Sequence, residues 1–456
     1  GGAPGLSGVA DLSVGSKSTR EANLSASFVE GPIAATVGFR RMTTENDLPN
    51  DFFAVTNASA SVEATLSPDA RVGFVLRRDE GRSGIPFSGN SATPNRSTTF
   101  ETTTASVPLS LALGAGFQLD AAATFSKDRP TFSDIDDPYG FTFSRTDAER
   151  IGGRVTLSRK LGIQRLTVGA DYERTLVTNE DAYALELDDL SIRTWSLFLE
   201  DRISLIADKL SATVGIRRDD HSTFGSATSP RLSIAYRPIP TLKLRAGVGS
   251  AFRSPTTGEL FYPYSGSTSL QPERSVAYEL GAELDVAPHV TLEATLFQNN
   301  IRDLITYDFV TSLNTNVNRA RTSGVELSLR GTFGQRMFGR VSYSYLDAQD
   351  LDLDQALLRR PHHRASATIG ALIGKEASAE LTGLFVGSRS DVDAATFAAV
   401  QDASYVRLDA AIRGPRVFEH FAPFLRVTNV LGREYVEAAG YPSPGRRVSV
   451  GLQIAF

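Results

Sequence analysis

Between Ser275 and Val286 the chain alternates. Val276, Tyr278, Leu280, Ala282, Leu284 and Val286 take the even positions; Ser275, Ala277, Glu279, Gly281, Glu283 and Asp285 take the odd ones. A strand turns successive side chains to opposite faces, so this period of two makes one aliphatic and one acidic face. The pattern recurs at Leu166/Val168/Ala170/Tyr172, Leu210/Ala212/Val214/Ile216, Leu242/Leu244/Ala246/Val248 and Val290/Leu292/Ala294/Leu296. It returns at Val325/Leu327/Leu329 and Val406/Leu408/Ala410/Ile412, and the chain ends on Val448, Val450, Leu452, Ile454 and Phe456. Roughly 22 such segments are present, each near the length at which a tilted strand crosses a bilayer. Sustained helical periodicity is missing.

The connections alternate as well. Tight turns stand at Gly31-Pro32, Pro68-Asp69, Gly114–Gly116, Ala207–Lys209, Pro238–Pro240, Ala287-Pro288 and Gly334–Arg336. Between them lie longer polar stretches at Arg78–Ser97, Arg129–Thr146, Ala251–Arg274 and Asp347–Arg360. Strands that reverse direction put all the short turns at one end and the long loops at the other, as in outer-membrane barrels. So many apolar strand faces have no helices to cover them. A soluble sandwich of this size would also have edges to protect, and a propeller or solenoid would need a fixed-period repeat that is not found. Closing the sheet pairs every backbone group, which hydrocarbon requires. The expected fold is an all-β, transmembrane, antiparallel up-and-down barrel of about 22 strands. Its short turns would be periplasmic, its long loops extracellular, and its charged faces would line a wide lumen. Trp195, Tyr236, Tyr343, Tyr345 and Phe456 would sit near the membrane interfaces.

Composition removes other classes. Of 456 residues, 41% are hydrophobic and 22% charged, which fits neither a disordered chain nor a helical membrane protein. The longest uncharged run near the middle, Thr102 to Leu119, is rich in Thr, Ser and Gly, contains Pro108 and fails as a helical span. A net charge of −5 argues against nucleic acid as a partner. There is no cysteine, hence no disulfide scaffold, Fe–S site or thiol nucleophile. The five histidines, His221, His289, His362, His363 and His420, form no H-x-x-x-H pair, and His362 and His363 point to opposite strand faces. Gly370–Lys375 is one residue short of a phosphate loop and carries Glu376 where Ser or Thr belongs, so it reads as strand and turn. Gly247-Val-Gly249 lacks the third glycine of a dinucleotide fingerprint. No catalytic constellation, metal site or cofactor is expected.

The long loops carry the binding chemistry. Ser133–Tyr139 holds Asp134, Asp136 and Asp137, a solvated acidic loop by preference, with loop-bound calcium as the sharper alternative. Aromatic residues gather at Phe52-Phe53, at Tyr139, Phe141 and Phe143, at Phe261, Tyr262 and Tyr264, and at Tyr441. Rings exposed at one end of a barrel would make a platform for a bulky, partly apolar small molecule, with Tyr139, Phe141, Phe261, Tyr262 and Tyr264 as candidate ligand contacts.

From Gly249 onward the wording is that of a family. Gly249-Ser-Ala-Phe-Arg-Ser-Pro-Thr-Thr-Gly-Glu-Leu-Phe-Tyr262, Leu270-Gln-Pro-Glu-Arg-Ser275 and Tyr278-Glu279 resemble the barrel of TonB-dependent outer-membrane receptors. The resemblance continues through Asn300–Ile305, Asn318–Glu326, Leu358–Pro361, Val427–Tyr435, Gly440–Pro442 and Pro444–Arg446 to Phe456. Upstream it is one of strand pattern alone. Glu259–Ser275 and the loop at Asp134 are most similar to vitamin B12 receptors, whose extracellular loops hold calcium; siderophore receptors share much of the wording.

The resemblance implies a monomer in the outer membrane of a Gram-negative bacterium, delivered by the barrel-assembly machinery through Phe456. It further implies uptake of a bulky scarce nutrient, a cobalamin or ferric siderophore, driven by TonB through an N-terminal plug. Residues 1–456 correspond to barrel alone. Alternation begins by Leu6, Val9, Leu12 and Val14, and no secretory leader stands at Gly1, so a fragment of a longer receptor is expected. A plugless diffusion pore and a surface-binding barrel without transport are the alternatives.

Overall fold

The computed structural model describes residues 5–456 apart from 90, 184, 263, 309–310, 375, 394–395 and 397. Twenty-two antiparallel strands close into a barrel, from Gly5–Gly15 to Arg447–Ala455. Closure is made by the first and last strands, in register from Val9↔Ala455 to Gly15↔Ser449. Phe456, just past the last strand, exchanges both backbone hydrogen bonds with Gly8 at 2.7 and 3.0 Å. The sheet therefore has no free edge along this seam, the condition for crossing hydrocarbon.

The apolar positions point outward. Leu280 is 56% exposed and Leu197 67%, and they share the outer face with Val276, Tyr278, Val214 and Val450. Among the described residues the buried apolar side chains are few, and Val177, Leu260 and Leu270 are typical. A water-soluble protein of this length would bury a large apolar core; this one reserves its aliphatic surface for lipid.

The polar positions that alternate with them line the lumen and pair with one another. Glu279 accepts from Arg245 Nε at 3.1 Å, and Arg330 Nη1 reaches Glu293 at 2.6 Å. Arg154 and Arg217 both hold Asp171, at 2.6 and 2.5 Å, and Arg217 continues to Asp219. Gly281 lies directly across from Arg245. A Cβ there would meet Arg245 Nε at 2.5 Å, so this glycine makes room for a guanidinium lying flat along the wall.

The tight turns fall at one end, as the spacing predicts, some through left-handed residues such as Gly31 (φ 55°) and His289 (φ 66°). The opposite end departs from expectation in two ways. Its connections are not uniformly long: residues 16–18 and 222–224 are tight turns too. Several strands also run past the membrane into the outer solvent, so Ala70–Gly84 and Phe143–Leu161 absorb much of the expected loops, and Leu185–Ile206 is 22 residues long. Trp195 accordingly lies within a strand, not at its end. His363 Nδ1 meets Tyr343 Oη at 2.8 Å and its ring lies 5.3 Å from Tyr345, an aromatic cluster with no metal geometry. The Gly370–Gly374 stretch is strand and turn, with Lys375 outside the described residues.

Candidate functional site

The segment between Arg253 and Glu273 is built from its charges. Thr256 caps a short helix, Thr257–Phe261, by accepting from the Glu259 N–H, while the Glu259 carboxylate returns to the Thr256 N–H. Arg253 then binds Glu259 at 3.0 and 3.1 Å and Glu273 at 2.8 and 2.7 Å, tying the helix to both flanking strands. Burial pushes the Glu259 carboxyl up, but the bonds from Arg253 and Thr256 outweigh it and hold the group below the ordinary carboxylate value. Leu260, Leu270 and Pro272 are buried beneath. Asn314 and Asn316 reach over from the neighbouring hairpin, bonding the carbonyls of Ser265 and Gln271 at 2.8 and 2.9 Å. The motif Phe-Arg-x-Pro…Glu-Leu…Pro-Glu is thus a scaffold, and it positions Phe261 and Tyr262, both half-buried, and Tyr264, 56% exposed. Tyr262 and Tyr264 meet edge to face at 5.6 Å.

The second predicted group lies six strands away. Phe141 packs between Phe132 and Tyr183 at 5.8 and 5.7 Å, and the Tyr183 hydroxyl donates to the Tyr139 carbonyl at 2.9 Å. Tyr139 itself is 84% exposed. The structure therefore gives two separate aromatic tips, and among the described residues no ring contact joins them.

The three carboxylates of the acidic loop diverge. Asp134, 2% exposed, takes Arg96 at 2.6 Å; Asp136 takes Asn95 at 2.6 Å; Asp137 accepts from the N–H groups of Tyr139 and Phe141. Each is committed to partners within the protein, Arg96 also lying 3.7 Å from Asp137, and among the described residues no group of three such side chains could hold a metal ion. The acidic loop braces Tyr139 and Phe141 in the way Arg253 braces Phe261.

Sequence reading did not find the bracing of the remaining loops. Asn50 Nδ2 lies within bonding distance of three carbonyls, Ile85, Thr93 and Arg96. Asp47 bridges Lys17 and Arg447 at 2.8 and 2.5 Å, and Phe87 packs on Tyr441 at 5.0 Å. Arg407, on the lumen wall, reaches the Tyr435 hydroxyl at 3.3 Å, so the wall and the loop Asn429–Arg446 are joined. Asp391 is fully buried between Arg359, at 2.8 Å, and the Ala439 N–H, at 2.9 Å.

Burial raises the Asp391 carboxyl, but the Ala439 and Val392 N–H groups and Arg359 overcome this and leave it below its ordinary value. Asp402 goes the other way, pushed up by burial and the adjacent Asp391, because Arg389 at 3.4 Å is too poorly aligned to compensate. The lowered Asp391 value stabilises the loop fully above the ordinary carboxylate pKa and stops doing so as pH falls through its folded value. The raised Asp402 value stabilises only at low pH, and that contribution is lost as pH rises through it. At neutral pH the two oppose. Asp391→Asn is therefore expected to speed amide exchange in Arg389–Val392 and Ala399–Asp402 at pH 7. Asp402→Asn should leave it unchanged or slow it.

Rigid loops carrying exposed rings above a charged lumen can capture a bulky solute and offer it a wet path. The profile described as "TonB dependent receptor-like, beta-barrel" matches residues 38–430. The chain belongs to the TonB-dependent receptor β-barrel family. It is thus a barrel of the outer membrane of Gram-negative bacteria. This receptor barrel is 27% identical over 242 residues to the vitamin B12 transporter BtuB of Photobacterium profundum. That alignment spans 50% of this chain and 37% of the relative. The fold is shared with the copper transporter OprC (TM-score 0.84, 17% identity, 99% of this chain and 80% of the other). It is shared equally with the siderophore receptor PirA of Acinetobacter baumannii (TM-score 0.83, 16% identity, 99% and 81%).

Proposed function

We propose that this receptor barrel is the membrane-spanning part of an importer for a bulky scarce nutrient, a cobalamin or a ferric siderophore. The observation that carries the reading is the crown of braced loops presenting Tyr139, Phe141, Phe261, Tyr262 and Tyr264 above a lumen wall of paired charges. Rigid mounts let rings bind a large solute without first being ordered, which lowers the entropic cost of capture. The relative named as a vitamin B12 transporter favours a corrinoid, a flat macrocycle suited to stacking. Transport requires a plug in the lumen and TonB to act on it; the lumen carboxylates and guanidinium groups are its natural docking surface. The chain acts as a receptor, with no catalytic role.

The test is cyanocobalamin and ferric-siderophore binding by cells carrying the full-length receptor. Phe261→Ala/Tyr262→Ala/Tyr264→Ala should weaken capture of the true ligand at least tenfold, each ring contributing about 0.5–1.5 kcal/mol, while the barrel folds as before. Unaltered uptake by this variant would overturn the loop platform. Large stable conductance from the full-length gene product, without ligand binding, would favour the open pore instead.

A further inference from the structure

Two cavities in the lumen wall are electrically balanced. One sets Arg154 and Arg217 against Asp171 and Glu173, the other Arg71 and Arg154 against Glu63 and Asp120. At the turn end of the wall, between strands Leu185–Ile206 and Leu242–Arg253, the balance fails. A cavity of about 340 Å³ there is lined by Arg202, Lys209, Arg237 and Lys243, against a single carboxylate, Asp208, in the turn. Ser204 and Ser211 bring hydroxyl groups to the same cavity. Among the described residues no carboxylate lies within 4.0 Å of any of the four cations. The next carboxylates along the wall are engaged elsewhere, Glu200 by Arg231 and Glu279 by Arg245. Glu283, opposite Lys243 in register, stands beyond ion-pair distance.

Register gathers these cations. Arg202 lies two residues from the lumen-facing Glu200 and directly across from Arg165, which itself lies across from Lys160. Like charges opposite one another on neighbouring strands repel. Arg237 and Lys243 are the next residues beyond the Tyr236↔Leu244 pair, on either side of the Pro238–Pro240 turn. The Arg237 N–H donates to the Lys209 carbonyl at 2.6 Å, so the two turns are tied together before any ligand arrives. Arg202, Lys209 and Arg237 are exposed and Lys243 is half-buried, which leaves the cavity open to a solute in the lumen. An oxyanion entering it relieves the mutual repulsion, and guanidinium forks hold carboxylate or phosphate through parallel N–H donors. Water and salt screen such exposed groups, which keeps the affinity modest. A site on a permeation path has to let its solute go.

We propose that Arg202, Lys209, Arg237 and Lys243 form an oxyanion site at the periplasmic mouth, the last wall contact of a solute that carries phosphate or carboxylate. This rests on the importer reading and narrows its substrate to an anion. The test is isothermal titration of the full chain, folded in neutral maltoside micelles at low ionic strength, with citrate and inorganic phosphate as probes. Binding should saturate, and should weaken as sodium chloride is raised. Arg202→Gln/Arg237→Gln should weaken citrate binding roughly tenfold. Arg413→Gln, which removes an arginine at the end of Tyr405–Arg413 elsewhere on the same rim, should leave it unchanged. No saturable binding of either probe by the unaltered chain would overturn the proposal, whether or not the double variant folds. So would an affinity that survives in Arg202→Gln/Arg237→Gln, or one that falls equally in Arg413→Gln. None of these readouts involves nutrient uptake, so their failure would remove this site and leave the importer reading to its own test in cells.

Discussion

Leu280→Arg is expected to destabilise the folded barrel in a bilayer by about 2–4 kcal/mol, the range for a charge placed on the lipid face near the midplane. Leu280 lies seven residues above the Ala287 turn, 56% exposed, on the aliphatic face of Glu273–Ala287. The arginine would have to snorkel or draw water into hydrocarbon. One residue away, Glu279 faces the lumen and pairs with Arg245 in the presence of water. Glu279→Gln is therefore expected to change stability by less than about 1 kcal/mol, as for an exposed ion pair. The two substitutions test which face meets lipid, because a slip of one residue would exchange their effects. Urea-dependent folding into vesicles measures both.

Arg253→Ala carries the largest expected effect on the crown. It removes four hydrogen bonds and leaves Glu259 and Glu273, whose side chains are only 23% and 12% exposed, without a counter-charge. The loss falls between that of an exposed pair and a broken buried one, about 1–3 kcal/mol of local stability. Amide exchange at Leu260 and Leu270 should accelerate accordingly while the barrel strands stay protected. Ligand capture should fall with it, although Arg253 itself need not touch ligand. Protected amides at Leu260 in this variant would mean that the helix is held by packing alone.

Much of this was legible in the chain, for a reason particular residues make plain. A lipid-facing strand has no freedom at alternate positions, so Val276 to Val286 and Leu242 to Val248 declare themselves. Where strands rise beyond the bilayer the constraint lapses. Both faces of the Phe143–Leu161 hairpin end meet water, and its Arg145–Glu180 pair carries no period-two signature. The loops were legible only as composition. Tyr139, Phe141 and Tyr264 were readable as aromatic tips, but their mounts depend on contacts between distant segments. Arg447 and Asp47 are 400 residues apart in sequence and meet because the first and last strands close the barrel. The Arg253–Glu259–Glu273 clamp was visible as family wording, yet its role as scaffold emerges only when the three groups are brought together. Asp134 illustrates the converse: a carboxylate cluster suggestive of a cation is satisfied by Arg96, 38 residues upstream.

The most direct measurement uses the absence of native cysteine. Single cysteines placed in turn from Ser275 to Leu284, in the folded chain in bilayers, can be challenged with a membrane-impermeant maleimide. Reaction is expected at Ser275, Ala277, Glu279 and Glu283, which face the wet lumen, and protection at Val276, Tyr278, Leu280, Ala282 and Leu284, which face acyl chains; Gly281, roofed by Arg245, is left unchanged. Uniform reactivity, or protection recurring every three to four residues, would contradict the barrel.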